Sequence, residues 1–262
     1  MPIESMVAEI LESKKYAGLD RALVERVCAK YVPRYIKRGD AVKAIKKELH
    51  IIYGSFLTKD CHARAESLIR NYSGEDIHAD KDFAVRLMEL HVSTSERISC
   101  VSEINAMICD YIRPDDVFID IGCGFNPFTL PFYPTKPGAY IAYDICARTT
   151  DLINYYFKPL GPAFRAAPLD AVSQGPSIKA GVALIYKLFP LLEQQCKGRA
   201  FELLRAMDYR VAIVSFPTKS VSGREKGMEA FYADMFESGL PDNLTISDKA
   251  VYGEELFYII TC

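Results

Sequence analysis

The sequence lacks the features that mark membrane and secreted proteins. In its 262 residues no apolar run approaches the roughly 20 residues that a helix needs to cross a bilayer. Residues 1–4 show no basic segment followed by an apolar one, as a signal peptide would. These absences predict a cytoplasmic protein with no membrane partner.

Paired cysteines are also missing. The chain has 8 cysteines and 4 histidines, but no C-x-x-C motif and no histidine beside a cysteine pair. Zinc and redox sites need such spacings. We therefore expect reduced thiols that pack as small apolar side chains, and no metal site.

The net charge of −2 does not by itself suggest a nucleic-acid binder, but the charge is unevenly distributed. Residues 1–73 carry 14 basic and 9 acidic groups, so the remainder is acidic overall. Such asymmetry suggests that the N-terminal part faces a polyanion, although a solvated helix face explains it equally well. The candidate RNA-binding residues are Arg26, Lys30, Arg34, Lys37, Arg38, Lys43, Lys46 and Lys47.

Two different patterns divide the chain. Up to about residue 112 the apolar residues recur at helical spacing. From residue 116 short apolar runs alternate with helical patterns, which is typical of a parallel sheet covered by helices. We predict an all-helical domain in residues 1–90 and an α/β domain in residues 91–262. Strands are predicted at 117–121, 139–143, 163–167, 182–185, 210–215, 244–251 and 256–260, and helices at 148–159, 189–206 and 226–238.

A glycine turn follows the first predicted strand. Asp120 precedes Gly122 and Gly124, and Asp144 ends the next strand. Glycines let the backbone approach a ligand closely, and an acid at the end of the second strand can bind ribose hydroxyls. Pro127 stands where a dinucleotide motif has its third glycine. The D-x-G-x-G form is instead typical of methyltransferases that use S-adenosylmethionine (SAM).

Four other segments carry polar residues that are candidates for the same site. Asp170 is placed to accept a hydrogen bond from the adenine amine, although aspartate also commonly caps helices. Residues 93–95 are good helix caps, whereas the guanidinium fork of Arg97 suits the carboxylate of SAM. The segment 187–195 lacks the Asn/Asp-Pro-Pro-Tyr/Phe motif of amino-directed methyltransferases, which points to another target atom. The loop 215–228 is interpreted as a substrate contact rather than a solvated crossover.

In combination, four segments resemble the aminoglycoside-resistance 16S ribosomal RNA methyltransferases, which modify guanine N7 in the decoding A site. The resemblance runs from about residue 20 to residue 260. Its motifs are H-x-S-T-x-E-R at 91–97, G-C-G-x-N-P at 122–127, K-x-x-P-x-L-E-x-Q at 187–195, and S-F-P-T-x-S-x-x-G-R-x-K-G-M at 215–228.

This resemblance implies a Rossmann-like, seven-stranded SAM-dependent methyltransferase sheet behind a helical domain that docks on the ribosome. The implied substrate is the assembled 30S subunit, and we expect a monomer. Cofactor contacts are implied for His91, Ser93, Thr94, Arg97, Gly122, Gly124, Asp144, Asp170, Ala171, Tyr186 and Gln195. Positioning of the target nucleotide is implied for Arg224 and Met228, and we expect Lys187, Lys219 and Phe216 to contribute to it.

Guanine N7 carries a lone pair and no proton, so methylation there needs no general base, and none is evident in these motifs. Two alternative functions remain open. One is a methyltransferase of small molecules with the helical domain as a lid. The other is a non-enzymatic RNA-binding protein on the same fold.

Overall fold

A seven-stranded sheet organises the second half of the chain in the computed structural model, which describes residues 2–219 and 227–261. The strands are β1 Val117–Ile121, β2 Ala139–Asp144, β3 Phe164–Pro168, β4 Ala180–Tyr186, β5 Tyr209–Pro217, β6 Thr245–Tyr252 and β7 Glu255–Thr261. Their order is β3-β2-β1-β4-β5-β7-β6. Strands β1 to β5 are parallel, and β7 runs antiparallel to β5 and β6. All seven predicted strands are present, close to their predicted bounds.

Helices precede the sheet and connect its strands. Before β1 lie α1 Ile3–Leu11, α2 Arg21–Tyr31, α3 Arg38–Leu49, α4 Cys61–Arg70, α5 Lys81–Met88, α6 Val92–Ser95 and α7 Val101–Cys109. After β1 come α8 Ala147–Phe157, α9 Phe189–Gln195, α10 Arg199–Ala206 and α11 Met228–Gly239. None of the described helices has the length and apolar character that crossing a bilayer requires.

The single helix predicted over 189–206 is wrong, because the chain breaks it into α9 and α10. Gly198 adopts φ 85°, a left-handed conformation that ends regular helical geometry. The Glu193 carboxylate accepts hydrogen bonds from the backbone N–H groups of Gly198 and Ala200, at 2.8 and 2.9 Å. The side chain thus caps α10 across the break.

The sheet buries both of its faces, which explains the uninterrupted apolar runs of its strands. Along β4, Val182 and Leu184 pack in one core cluster, whereas Ala183 and Ile185 pack in the cluster on the opposite face. This alternation follows from the two-residue period of a strand. The central strands are therefore packed on both faces, and their ends form a fixed edge that can position side chains.

Residues near the N-terminus form a core of their own. Side chains from Met6 to Tyr53 pack together, and Cys146 joins them from the segment after β2. We call α1, α2, α3 and the turn His50–Gly54 the helical module. Side chains of α4 and α5, such as Ala65 and Leu87, pack instead with the sheet. The division of the chain at residue 90 stays a prediction.

Candidate active site

An open cleft lies at the carboxyl ends of β1 to β4. Ligands of open α/β sheets bind at this edge. From the sheet the lining includes Gly122, Gly124, Asp144, Leu169, Asp170, Ala171, Tyr186 and Lys187. Helices and their connections add Leu23, Ile52, Tyr53, Phe56, His91, Ser93, Leu192 and Gln195. The cleft thus unites most of the predicted cofactor residues, and the helical module forms one wall that the sequence did not reveal.

The glycine turn is held against the end of β2. Gly122 and Gly124 have φ values of 66° and 50°, which favour glycine. A Cβ at Gly124 would lie 2.8 Å from Cε1 of His91, so no side chain fits there without displacement. The Asp144 carboxylate accepts hydrogen bonds from the backbone N–H groups of Gly124 and Cys146, at 3.0 and 2.9 Å.

Two buried carboxyl groups flank this turn. Burial raises the pKa of Asp120 and of Asp144 to about 6 in each case. Asp120 accepts hydrogen bonds from the Tyr140 hydroxyl at 2.7 Å and from the Asn126 amide at 2.9 Å. Asp120 is therefore committed to holding the turn, whereas Asp144 faces the cleft.

His91 lies beneath the glycine turn as a neutral ring. It stacks on Phe56 and Phe125, with ring centroids 6.2 and 5.2 Å away. Burial lowers the pKa of its imidazole to about 3, helped by the nearby Arg97 charge. Within the described ranges no group of His, Cys, Asp and Glu could hold a metal ion. Thr94 lies behind the cleft, where its hydroxyl donates to the Met88 carbonyl at 2.9 Å.

A buried ion network borders the cleft beside His91. The Arg97 guanidinium donates from Nε to Glu255 Oε2 at 2.8 Å, and its other nitrogens donate to Asn126 and Ser93. The Lys187 ammonium lies 3.1 Å from Glu255. Burial alone would raise the pKa of Glu255, but Arg97 and Lys187 reverse this and hold it below its usual value. Glu255 was missed from sequence because it lies on β7, far along the chain from every motif.

Asp170 lies at the opposite end of the cleft and is contacted by the helical module. The guanidinium of Arg26 pairs with both of its carboxylate oxygens, and Nη2 also donates to Gln195 Oε1 at 3.0 Å. Asp170 further accepts from the Val172 N–H at 3.1 Å within a turn, and none of the described helices begins there, so Asp170 is not a helix cap. Arg26 was predicted to bind RNA; it instead contacts two residues that line the cleft.

The other basic residues of the predicted RNA-binding set fall into two groups. Lys30 pairs with Glu48 at 2.8 Å, and Arg38 pairs with Glu9 at 2.6 Å. The rest form no ion pair within the part of the chain that the structure describes. These residues are Arg34, Lys37, Lys43, Lys46 and Lys47, and all except the half-buried Lys46 are exposed.

The residues predicted to position the target nucleotide differ in how exposed they are and in what they contact. Arg224 lies outside the described residues. Lys219 pairs with Glu254 at 2.7 Å, and Met228 begins α11 with its side chain half-buried. Phe216 has no exposed surface and packs among the aromatic side chains beneath α11, so its predicted stacking on a target base does not fit this structure.

The sheet order, the glycine turn and the acid at the end of β2 define a methyltransferase of the seven-stranded, SAM-dependent class. A family model described as "Ribosomal RNA methyltransferase (FmrO)" matches residues 12–259. The chain belongs to this family, which confirms the enzyme class, fold and cofactor predicted from sequence.

Similarity to individual relatives extends over the whole chain. A 16S rRNA (guanine(1405)-N(7))-methyltransferase of Serratia marcescens is 34% identical over 260 residues, covering 99% of this chain and 98% of the relative. The structure of the 16S rRNA methyltransferase RmtF in complex with S-adenosyl-L-homocysteine superposes with a TM-score of 0.89 at 32% identity, covering 99% of this chain and 97% of RmtF. The structure of the 16S rRNA methylase RmtB superposes with a TM-score of 0.83 at 29% identity, covering 100% of this chain and 98% of RmtB.

Proposed function

We propose that this enzyme transfers the methyl group of SAM to N7 of a guanine in the decoding A site of 16S rRNA, within the assembled 30S subunit. The methylated base carries a fixed positive charge, so the reaction would confer resistance to cationic aminoglycosides. The observation that carries the proposal is a complete nucleoside cleft in a chain whose full-length relatives are named for this reaction. We further propose that the enzyme acts as a cytoplasmic monomer without a metal ion.

The cleft suits SAM at both of its ends. The Asp144 carboxylate faces the cleft beside the glycine turn, where it can accept hydrogen bonds from two ribose hydroxyls. Asp170 would receive the adenine amine, with Leu169 and Leu192 beside the ring. The methionine end would lie toward Ser93 and the buried ion network. A contact between Arg97 and the SAM carboxylate stays a prediction, because Arg97 lies behind Ser93 and Tyr186.

The proposed reaction requires the protein mainly to position the methyl group of SAM and the guanine N7. Bound SAM supplies an electrophilic methyl group, and guanine N7 offers a lone pair without losing a proton. The neutral His91 adds no positive charge beneath the cofactor, which itself carries a sulfonium cation. Holding the two reacting atoms in line can contribute roughly 7–11 kcal/mol in favourable cases. We propose that Arg224, Met228, Lys187 and Lys219 orient the target nucleotide, which must turn out of its helix.

A methyltransferase of small molecules is the second candidate, and one observation favours it. Leu23, Ile52, Tyr53 and Phe56 of the helical module and its flank close one side of the cleft, as a lid would. The exposed cations on the same module favour RNA instead, because a small substrate would not need them.

Charge reversal on the helical module is expected to separate RNA binding from cofactor binding. The triple variant Arg34→Glu, Lys37→Glu and Lys43→Glu should bind small subunits at least tenfold more weakly, since exposed cations that neutralise phosphates dominate such affinity. Affinity for S-adenosylhomocysteine should not change, because these side chains lie away from the cleft. Filter binding over a range of salt and calorimetry test the two expectations. Equal losses of affinity in both assays would show that Arg34, Lys37 and Lys43 have a structural role.

The proposed function is tested directly with unmethylated 30S subunits, SAM and the purified enzyme. Borohydride reduction and aniline treatment cleave RNA at N7-methylguanine, so we expect one new cut in the decoding site. Free 16S rRNA serves as the matched substrate control and should be a poor substrate. Absence of the cut, together with methylation of a small molecule, would favour the second candidate.

A further inference from the structure

Arg26 connects the helical module to the adenine end of the cleft. Its guanidinium donates to both oxygens of Asp170, to the side-chain amide oxygen Oε1 of Gln195 at 3.0 Å and to the Ser173 hydroxyl at 3.3 Å. Asp170 follows β3, and Gln195 ends α9. One side chain therefore ties three separate segments together at a point where two of them line the cleft.

The packing of α2 holds Arg26 in position for this contact. Leu23, three residues earlier and on the same face of the helix, lines the cleft as well. Val24, Val27 and Cys28 anchor α2 in the core of the helical module. The guanidinium thus projects from a packed helix, and its side chain is 31% exposed.

Arg26 contributes to a lowered pKa of a buried carboxyl group. The side chain of Asp170 is only 6% exposed. Burial alone would raise its pKa, but hydrogen bonds from Arg26 and Ser173 outweigh burial and hold the pKa below its usual value. An ionised carboxylate only accepts hydrogen bonds, whereas a protonated carboxyl also donates one.

We propose that Arg26 is a positioning residue for nucleobase specificity, which keeps Asp170 an acceptor aimed at the 6-amino group of adenine. The inference rests on the cofactor placement proposed above. Adenine presents an N–H donor at position 6, but hypoxanthine presents a carbonyl oxygen there, and an ionised Asp170 repels that oxygen. Without Arg26, Asp170 and Gln195 lose the group that orients them, and the carboxyl can accept a proton and donate to a 6-oxo base.

The test compares two ligands, S-adenosyl-L-homocysteine and its 6-oxo analogue S-inosyl-L-homocysteine, by calorimetry on the full-length protein. Arg26→Ala should weaken S-adenosyl-L-homocysteine binding roughly tenfold or more, as expected when a buried charged group loses its partner. The affinity for the 6-oxo analogue should fall less. The ratio of the two affinities, which measures the preference for adenine, should therefore decrease by a similar factor. Arg26→Lys should restore part of the preference, and Asp170→Asn should narrow it without altering Arg26.

Arg21→Ala is the matched control. Arg21 lies on the same helix and also pairs with acids, Glu4 and Glu25, but away from the cleft, so both affinities should stay at the wild-type value. Equal losses for both ligands in Arg26→Ala would overturn the proposal in favour of a purely structural role. Unchanged or tighter S-adenosyl-L-homocysteine binding would overturn it in favour of a surface ion pair or of competition with adenine. If Arg26→Ala narrows the preference for adenine but the wild type leaves 30S subunits unmethylated, the proposed function fails and this inference stands.

Discussion

Replacement of Arg97 by alanine is expected to lower the free energy of unfolding by about 3–5 kcal/mol, the usual cost of removing one partner of a buried ion pair. The side chains of Arg97 and Glu255 are 4% and 2% exposed, and their charged groups meet at 2.8 Å. The alanine variant leaves Glu255 buried with Lys187 as its remaining cation. It also removes the donors to Asn126 and Ser93. Urea unfolding followed by circular dichroism measures the effect.

Two comparisons show whether burial causes this loss. Arg70 and Glu66 form an ion pair in which both side chains are more than half exposed, so Arg70→Ala should leave the unfolding midpoint nearly unchanged. The double variant Arg97→Met and Glu255→Leu should be more stable than Arg97→Ala, because the buried carboxylate is removed together with Arg97 and Lys187 keeps its ion pair with Glu96. An Arg97→Ala protein as stable as the wild type would show that Glu255 does not depend on this pairing.

Replacement of Asp144 by asparagine is expected to weaken S-adenosylhomocysteine binding at least roughly a hundredfold. Hydrogen bonds to a charged acceptor contribute about 1.5–3 kcal/mol each, and the proposed placement puts two ribose hydroxyls on this carboxylate. The asparagine side chain keeps the shape but only one acceptor oxygen, whereas the backbone N–H groups of Gly124 and Cys146 donate to different oxygens of Asp144, so one of these two hydrogen bonds is lost. The free energy of unfolding should therefore fall by about 1–3 kcal/mol, while calorimetry detects the loss of ligand affinity.

The same carboxylate predicts a pH dependence of cofactor binding. Burial raises the pKa of Asp144 to about 6, so the group is ionised above that pH and protonated below it. The ribose hydroxyls need an acceptor, so affinity should fall as the pH is lowered from about 8 to about 5. Asp120 also has a pKa raised to about 6, with the Asp144 charge as a minor cause, and it still titrates in Asp144→Asn. A pH profile of equal slope in the wild type and in the variant would contradict the assignment.

Local patterns were sufficient for most of the fold. Strands β1 to β5 were visible because a sheet covered on both faces requires continuous apolar runs. The turn at Gly122 and Gly124 and the acid at Asp144 were visible because close backbone approach and ribose binding each favour one residue type. The break between α9 and α10 was not visible in the sequence, since it depends on a left-handed Gly198 and a capping Glu193 within an otherwise helical pattern.

Side-chain roles that depend on distant partners were harder to predict. Phe216 was expected at the target base because it lies in the loop after the predicted strand 210–215, but it belongs to β5 and its aromatic ring is fully buried. Arg26 was grouped with the RNA-binding cations because its neighbours in sequence are basic, yet it contacts Asp170 across 144 residues. Composition gives the sign of a charge but not the partner that it meets.

The sequence by itself determined the class of enzyme, the succession of strands along the chain and the edge of the sheet at which the cleft lies. These follow from residue type and spacing within short segments, which one strand and its turn can satisfy alone. Tertiary structure decided which cations remain exposed, which charges are buried together and which wall of the cleft the helical module supplies. Those outcomes depend on packing between segments far apart in the chain, and the free energy of a charge depends on the burial and the partners that packing creates.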